Sequence, residues 1–162
     1  MIDDLNLVYQ RAKAKAEEIF RKNPSVYCPY FEGNIILNSD GFHHLRYSAR
    51  CERSKKEQIL KFNLLPLAIQ IIKKAGTIQE FRREPYQIGK KSKKDGLAII
   101  KPADYWGLVA IIGEKNPIKV KVVLRRIGEG NVIFWSVMPA IKLFGDALKK
   151  LENLAEKGIQ DD

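Results

Sequence analysis

The sequence predicts an α+β domain in which N-terminal helices pack on one face of a three- to four-stranded antiparallel sheet, with a C-terminal helix closing the chain. Three observations predict it. Apolar residues recur at spacings of three and four over residues 3–22 and again over 59–75, the period of a helix with one buried stripe. From Thr77 onward the pattern changes to alternation and to β-branched runs. The stretch Pro117 to Pro139 is interrupted only by Gly128, Gly130 and Asn131, which tolerate positive φ, so its two halves read as an antiparallel hairpin.

At 162 residues and 45% hydrophobic, the chain is long enough for one well-buried core and too short for two ordinary domains. It reads as a single domain over 1–162, with an N-terminal helix and aromatic loop at 1–33, a core at 34–138, and a helix and tail at 139–162. Leu5, Val8, Ala12, Ala16, Ile19 and Phe20 form the stripe of the first helix, Asp3 and Asp4 favour its positive end, and Asn23-Pro24 stops it. Ser25 to Gly33, with Tyr27, Cys28, Pro29, Tyr30 and Phe31, reads as an aromatic loop on the core, and Asn34 to Leu37 as one short strand. Ser39-Asp40-Gly41 opens a helix that begins Phe42-His-His-Leu-Arg-Tyr47. A second, buried helix runs from Ile59 to Ala75-Gly76, restarted or bent at Pro66.

Thr77 to Ile88 reads as an edge strand, because Pro85 lacks a donor. Gly89 to Gly96 is a basic loop bounded by glycines, and Tyr105 to Ile112 is a strand turned into the hairpin by Gly113 to Pro117. An amphipathic helix over about 144–156 ends the chain. In the hairpin, setting Gly128 opposite Asn131 pairs Leu124 with Trp135, Val122 with Val137 and Arg126 with Ile133 on one greasy face, continued by Val120 and Ile118. The other face then carries Lys119, Lys121, Val123, Arg125, Phe134 and Ser136.

Twenty-nine Lys and Arg against nineteen Asp and Glu leave a net charge of +10 and a pI near 9.6, which suits a polyanion, although the same balance also suits simple solvation. Nucleic acid is the expected partner, RNA ahead of DNA. Two cysteines are too few for a disulfide framework and fit a reducing compartment. No signal-peptide pattern opens the sequence and no apolar run approaches the roughly 20 residues needed to cross a bilayer, so a cytoplasmic protein without membrane attachment is expected.

The two histidines, His43 and His44, lie about 100° apart on a helix, so one at most faces a given site; either is as readily a plain structural imidazole. With Arg46, Arg50 and Arg53 nearby, they and the cationic hairpin face form the candidate nucleic-acid surface: His43, Arg46, Arg53, Lys119, Arg125 and Phe134. Cys28, His43, His44 and Cys51 offer ligand types for a metal but match no compact zinc spacing, so no metal or cofactor is expected. Ser136 has no nucleophile-elbow glycines, and the Gly-Lys-Lys-Ser at 89–92 lacks the earlier glycine of a phosphate loop. Clustered carboxylates for two-metal chemistry are absent from the strand segments. Metal-independent RNA cleavage remains, because the 2′-OH is its own nucleophile and needs only proton transfer and cations around the phosphorane.

Gly41-Phe-His-His-Leu45, the basic stretch through Arg53, and then Trp106-Gly-Leu, Lys119-Val-Lys-Val-Val and Phe134-Trp-Ser-Val137 on successive strands resemble the phage and mobile-element branch of the barnase, EndoU, colicin and RelE-like nuclease superfold over about residues 34–138. That resemblance implies helices on a four-stranded antiparallel sheet whose open face holds a ribonuclease site, often in a toxin with an immunity or antitoxin partner. Carried over by motif, it implies His44 as proton-transfer group, Lys121 with its neighbour Lys119 as strand cation, and Ser136 as last-strand hydroxyl. The chain departs from barnase-like members in lacking a last-strand histidine and a clear catalytic glutamate on the sheet. The expected activity is therefore a metal-independent endoribonuclease, of the kind found as a toxin or phage-encoded effector. Against it stand a non-catalytic RNA- or DNA-binding module on the same face, stacking a base on Phe134 or Tyr105, and an assembly protein of a phage or mobile element whose basic face meets another chain.

Overall fold

The computed structural model describes residues 2–140, with side chains from Asp4 onward. Helix α1 (Ile2–Lys22) leads into strand β1 (Ser25–Cys28), a single 3₁₀ turn at Pro29–Phe31 and strand β2 (Gly33–Ile36). Helices α2 (Ser39–Arg46) and α3 (Lys55–Lys74) follow, then β3 (Glu80–Ile88), β4 (Ile99–Ile112), β5 (Ile118–Ile127) and β6 (Ile133–Pro139). The strands make one six-stranded sheet in the order β1-β2-β6-β5-β4-β3.

The α+β class stands, but the expected three- to four-stranded antiparallel sheet is corrected to six strands and to mixed pairing, since β2 runs parallel to β6 through Ile36 and Ile133. The strands beyond the expected antiparallel set are β2, which the sequence suggested as a separate short strand, and β1, where the sequence suggested an aromatic loop. The four residues of β1 are too few to show a period, yet Val26 and Cys28 point inward and Tyr27 outward, and all four pair with β2. The expected helix at 144–156 falls outside the described residues, and all three described helices precede β3.

Side-chain chemistry sets the helix ends. Asn38 caps α2 by accepting from the Gly41 backbone N–H at 3.1 Å, and Ser54 caps α3 by accepting from the Glu57 N–H at 3.2 Å. Pro66 does not interrupt α3, because it sits on the exposed side while Leu64, Leu65 and Ala68 hold the buried side against the sheet. The core lies between α3 and the sheet, with Leu60, Leu65 and Ile72 against Val120, Val122, Leu124 and Val137. Helix α1 covers α3 from outside through Tyr9, Ala12 and Ala16.

One irregularity fixes where the site falls. Val122 pairs with Val137 and Val123 with Ser136, as the sequence suggested, but Leu124 then pairs with Phe134 and Arg125 with Ile133. Trp135 is the extra residue of a β-bulge. The expected pairings of Leu124 with Trp135 and Arg126 with Ile133 are therefore corrected on the turn side of the bulge. Phe134 moves from the expected cationic face into the core, 5.9 Å from Phe20 ring to ring. Ser136 is also corrected: it is fully buried, and its hydroxyl accepts a hydrogen bond from Lys61 Nζ of α3 at 3.1 Å.

Beyond the single Ile36 to Ile133 pair, α2 occupies the flank of β6. A methyl group on Gly41 would lie 2.2 Å from the Phe134 carbonyl oxygen, so glycine is required for helix and strand to approach this closely.

Candidate nucleic-acid interface

Strand pairing builds the site. Across the sheet face away from α3, Arg125 of β5 lies opposite Tyr105 of β4, which lies opposite Arg82 of β3. Alternation along β3 brings Tyr86 to the same face. The bulge adds Trp135, whose ring centroid is 4.0 Å from the Arg125 guanidinium carbon. That carbon is also 4.7 Å from the Tyr86 ring and 5.7 Å from Tyr105, and the Arg82 guanidinium covers Tyr105 at 4.6 Å. On the far side of Trp135 the His44 imidazole stacks at 4.1 Å and 17°. The result is a layered array of imidazole, indole, guanidinium, phenols and a second guanidinium.

Arg125 is only 6% exposed, and among the described residues no carboxylate or other acceptor meets its guanidinium; its Nε is buried without a hydrogen bond. Aromatic faces attract the cation without using its in-plane donors, and partial desolvation strengthens any bond those donors make to an arriving anion. Burial also holds the Tyr105 phenol above the ordinary tyrosine range, with Arg125 pulling the other way. Next to this array a cleft of ≈ 260 Å³ opens over Gly107, walled by Arg82, Tyr105, Lys121, Val123 and Met138.

The structure separates the other expected site residues. His44 and His43 diverge as helix geometry requires: His43 is exposed and stacks on Tyr47 at 4.4 Å. Arg53 is buried behind His44, donating from Nε to the His44 carbonyl at 3.1 Å and pairing with Glu57 at 3.0 Å. Its NH2 is 3.4 Å from the imidazole Nε2. Arg53 is thus a supporting residue and not the surface contact the sequence suggested. Arg46 lies over Tyr47 and 3.7 Å from Glu52. Lys121 is on the open face but pairs with Glu80 at 2.5 Å, and Lys119 lies two residues further along β5. Four residues of extended strand, about 13 Å, part Lys121 from Arg125. His44, Lys121 and Ser136 therefore do not assemble into one proton-transfer site.

The residues that complete the array and that sequence reasoning passed over are Arg82, Tyr86 and Trp135. Arg82 and Tyr86 carried a legible signal, four apart on one face of a strand; Trp135 carried none, because a bulge leaves the local alternation unchanged until its partner is known. On the opposite face Asp104, 2% exposed, binds Arg83 at 2.6 and 3.1 Å and Arg126 at 3.3 Å. The Arg83 hydrogen bond, joined by Arg126, holds its carboxyl below the ordinary aspartate range against the opposing effect of burial.

Cys28 is buried and Cys51 exposed, and among the described residues no group of three His, Cys, Asp or Glu is placed to hold a metal. No helix among them is long and apolar enough to cross a membrane. Neither a family model, nor a curated protein, nor a solved structure matches this chain. The resemblance to the nuclease superfold accordingly stands on its short motifs alone.

Proposed function

We propose that this chain is a nucleic-acid-binding module that holds phosphates on the uncovered face of its sheet. The observation that carries the reading is Arg125, a guanidinium enclosed by Tyr86, Tyr105 and Trp135 with its donors unanswered among the described residues. Its rings are already engaged by cations or by His44, so they orient phosphate-binding groups and do not serve as platforms for bases. The net charge of +10 and Lys101, which pairs with Tyr86 across the strands, supply the surrounding field, while Arg82 and Lys121 are partly neutralised by Glu84 at 3.6 Å and Glu80 at 2.5 Å. Fluorescence anisotropy with a labelled oligonucleotide over a salt series tests it. Arg125→Gln should weaken binding at least tenfold and lower the slope of log affinity against log salt by about 1. A variant that binds as tightly as the parent, with the same slope, removes Arg125 from the interface and the reading with it.

A second reading, metal-independent RNA cleavage, is favoured by one observation: the half-buried His44 lies one ring from Arg125 and has Arg53 at its Nε2. Incubation with total RNA in EDTA separates the two. Fragments ending in 2′,3′-cyclic phosphate that vanish in His44→Ala support cleavage, whereas intact RNA in a shifted complex supports binding alone.

A further inference from the structure

We infer that the β3–β4 hairpin is an arm that enters the major groove of double-stranded DNA. The inference rests on the nucleic-acid reading above and adds the form of the ligand and the element that reads it.

The two strands stay paired as far as Ile88 and Ile99, but β5 accompanies β4 only from Ala103 onward. Residues 85–102 therefore project past the sheet, whose last tie to them is the Gly128 N–H to Pro102 carbonyl bond at 2.7 Å. The tip is folded by its own bonds: Ser92 N–H to the Leu97 carbonyl at 2.8 Å, Gly96 N–H to the Ser92 carbonyl at 2.9 Å, and Leu97 N–H to the Asp95 carboxylate at 3.0 Å. Gly89 and Gly96, with φ of 70° and 69°, allow that turn. It displays Lys90, Lys91, Lys93 and Lys94, all exposed, while the one acid in the loop is engaged with the backbone. Such a tip is complementary to a polyanion.

Two features choose among polyanions. A two-stranded ribbon, with strands about 4.8 Å apart and side chains on both sides, fits the roughly 12 Å major groove of B-form DNA; the A-form groove of duplex RNA is too narrow to admit it. The ribbon also exposes Leu97, Ile99 and Ile100 at 69%, 64% and 59%, outside the core. Aliphatic groups on a groove-reading element have a specific counterpart in the thymine methyl, which uracil lacks. Tyr86, at the base of the arm, lies 4.7 Å over Arg125, so an arm in the groove brings the adjacent backbone to the guanidinium array.

The test is anisotropy at matched salt with one sequence presented as duplex DNA, as duplex DNA carrying deoxyuridine for thymidine, as duplex RNA and as single-stranded DNA. Duplex DNA should bind at least tenfold tighter than duplex RNA or single strands, and several-fold tighter than its deoxyuridine form. Replacing Lys90, Lys91, Lys93 and Lys94 together by Ala should reduce the salt slope by about 3 to 4 with an unchanged melting temperature. Ile99→Ser with Ile100→Ser should abolish the thymine preference, and dimethyl sulfate should find guanine N7 protected. Equal or tighter binding to single strands or duplex RNA, undiminished in the lysine variant, overturns the arm and leaves the Arg125 reading intact. Sedimentation with phosphatidylserine-containing vesicles in the absence of any nucleic-acid binding overturns both.

Discussion

Replacing Gly41 by Ala tests how the fold holds the array together. The added methyl would stand 2.2 Å from the Phe134 carbonyl oxygen, more than 1 Å short of ordinary contact at 3.4 Å, and 3.3 Å from the carbonyl carbon. No side-chain rotation relieves it, because the obstacle is strand backbone. We therefore take the upper part of the overpacking range, about 3 kcal/mol. Against it runs the gain of about 1 kcal/mol from alanine over glycine within a helix. The net loss is about 2 kcal/mol, which for a chain of this size lowers the melting temperature by about 4–8 °C. The displaced α2 should also draw His44 away from Trp135, so near-ultraviolet circular dichroism should lose indole signal and oligonucleotide binding should weaken. Urea unfolding and thermal melts measure the first effect. A melting temperature equal to or above that of the parent would refute the close approach of α2 to β6, and with it the placement of His44.

Phe134→Ala should cost about 3–5 kcal/mol in urea unfolding, while Trp135→Ala, half-buried at the bulge, should cost less and weaken binding more; the reverse order would restore the unbulged register. Lys61→Met keeps the side-chain volume but leaves the Ser136 hydroxyl and the Val137 carbonyl without their 3.1 Å donor, for a loss of about 1–3 kcal/mol; a stability above that of the parent would show that both groups find other partners. Asp104 has a depressed carboxyl, so its contribution is fully present above the unfolded aspartate value near 3.9 and is lost as pH falls through the folded value. Asp104→Asn should therefore destabilise the protein at neutral pH and flatten the acid limb below about pH 4. A parallel displacement of both stability curves at every pH would count against the Arg83 and Arg126 pairing.

Helices were legible from the long apolar stripes of α1 and α3, although α3 starts at Lys55, a turn before the Ile59 that opens its stripe, and the hairpin was legible because Gly128, Gly130 and Asn131 stand between two β-branched runs. The short strand β1 was not, since four residues between Asn23-Pro24 and Pro29 show no period, and their strand character comes from pairing with Gly33 to Ile36. The cationic character of one face was readable from Lys119, Lys121 and Arg125. Its ends were not, because a single extra residue in β6 exchanges the places of Phe134 and Trp135 without altering composition. The roles of Lys61 and Arg53 were hidden for another reason. Charged residues are ordinarily solvated, and only the tertiary position of α3 over β6, for Lys61, and of the segment between α2 and α3 against His44 and Glu57, for Arg53, makes their burial and their hydrogen bonds a requirement.

The parallel contact between Ile36 and Ile133 has a consequence for how the chain comes into being. On the ribosome the β1–β2 hairpin and α2 emerge long before the strand they flank, and a pairing between residues so far apart in sequence closes late and slowly. Until residue 133 is made, one edge of β2 and the part of α3 that meets β6 lack their cover, so the nascent chain exposes apolar surface. A stop codon just upstream of Ile133 would therefore remove more than the last strand; β2 would lose its partner in the sheet and α2 the strand it flanks, leaving the first third of the protein held to the rest chiefly through α3.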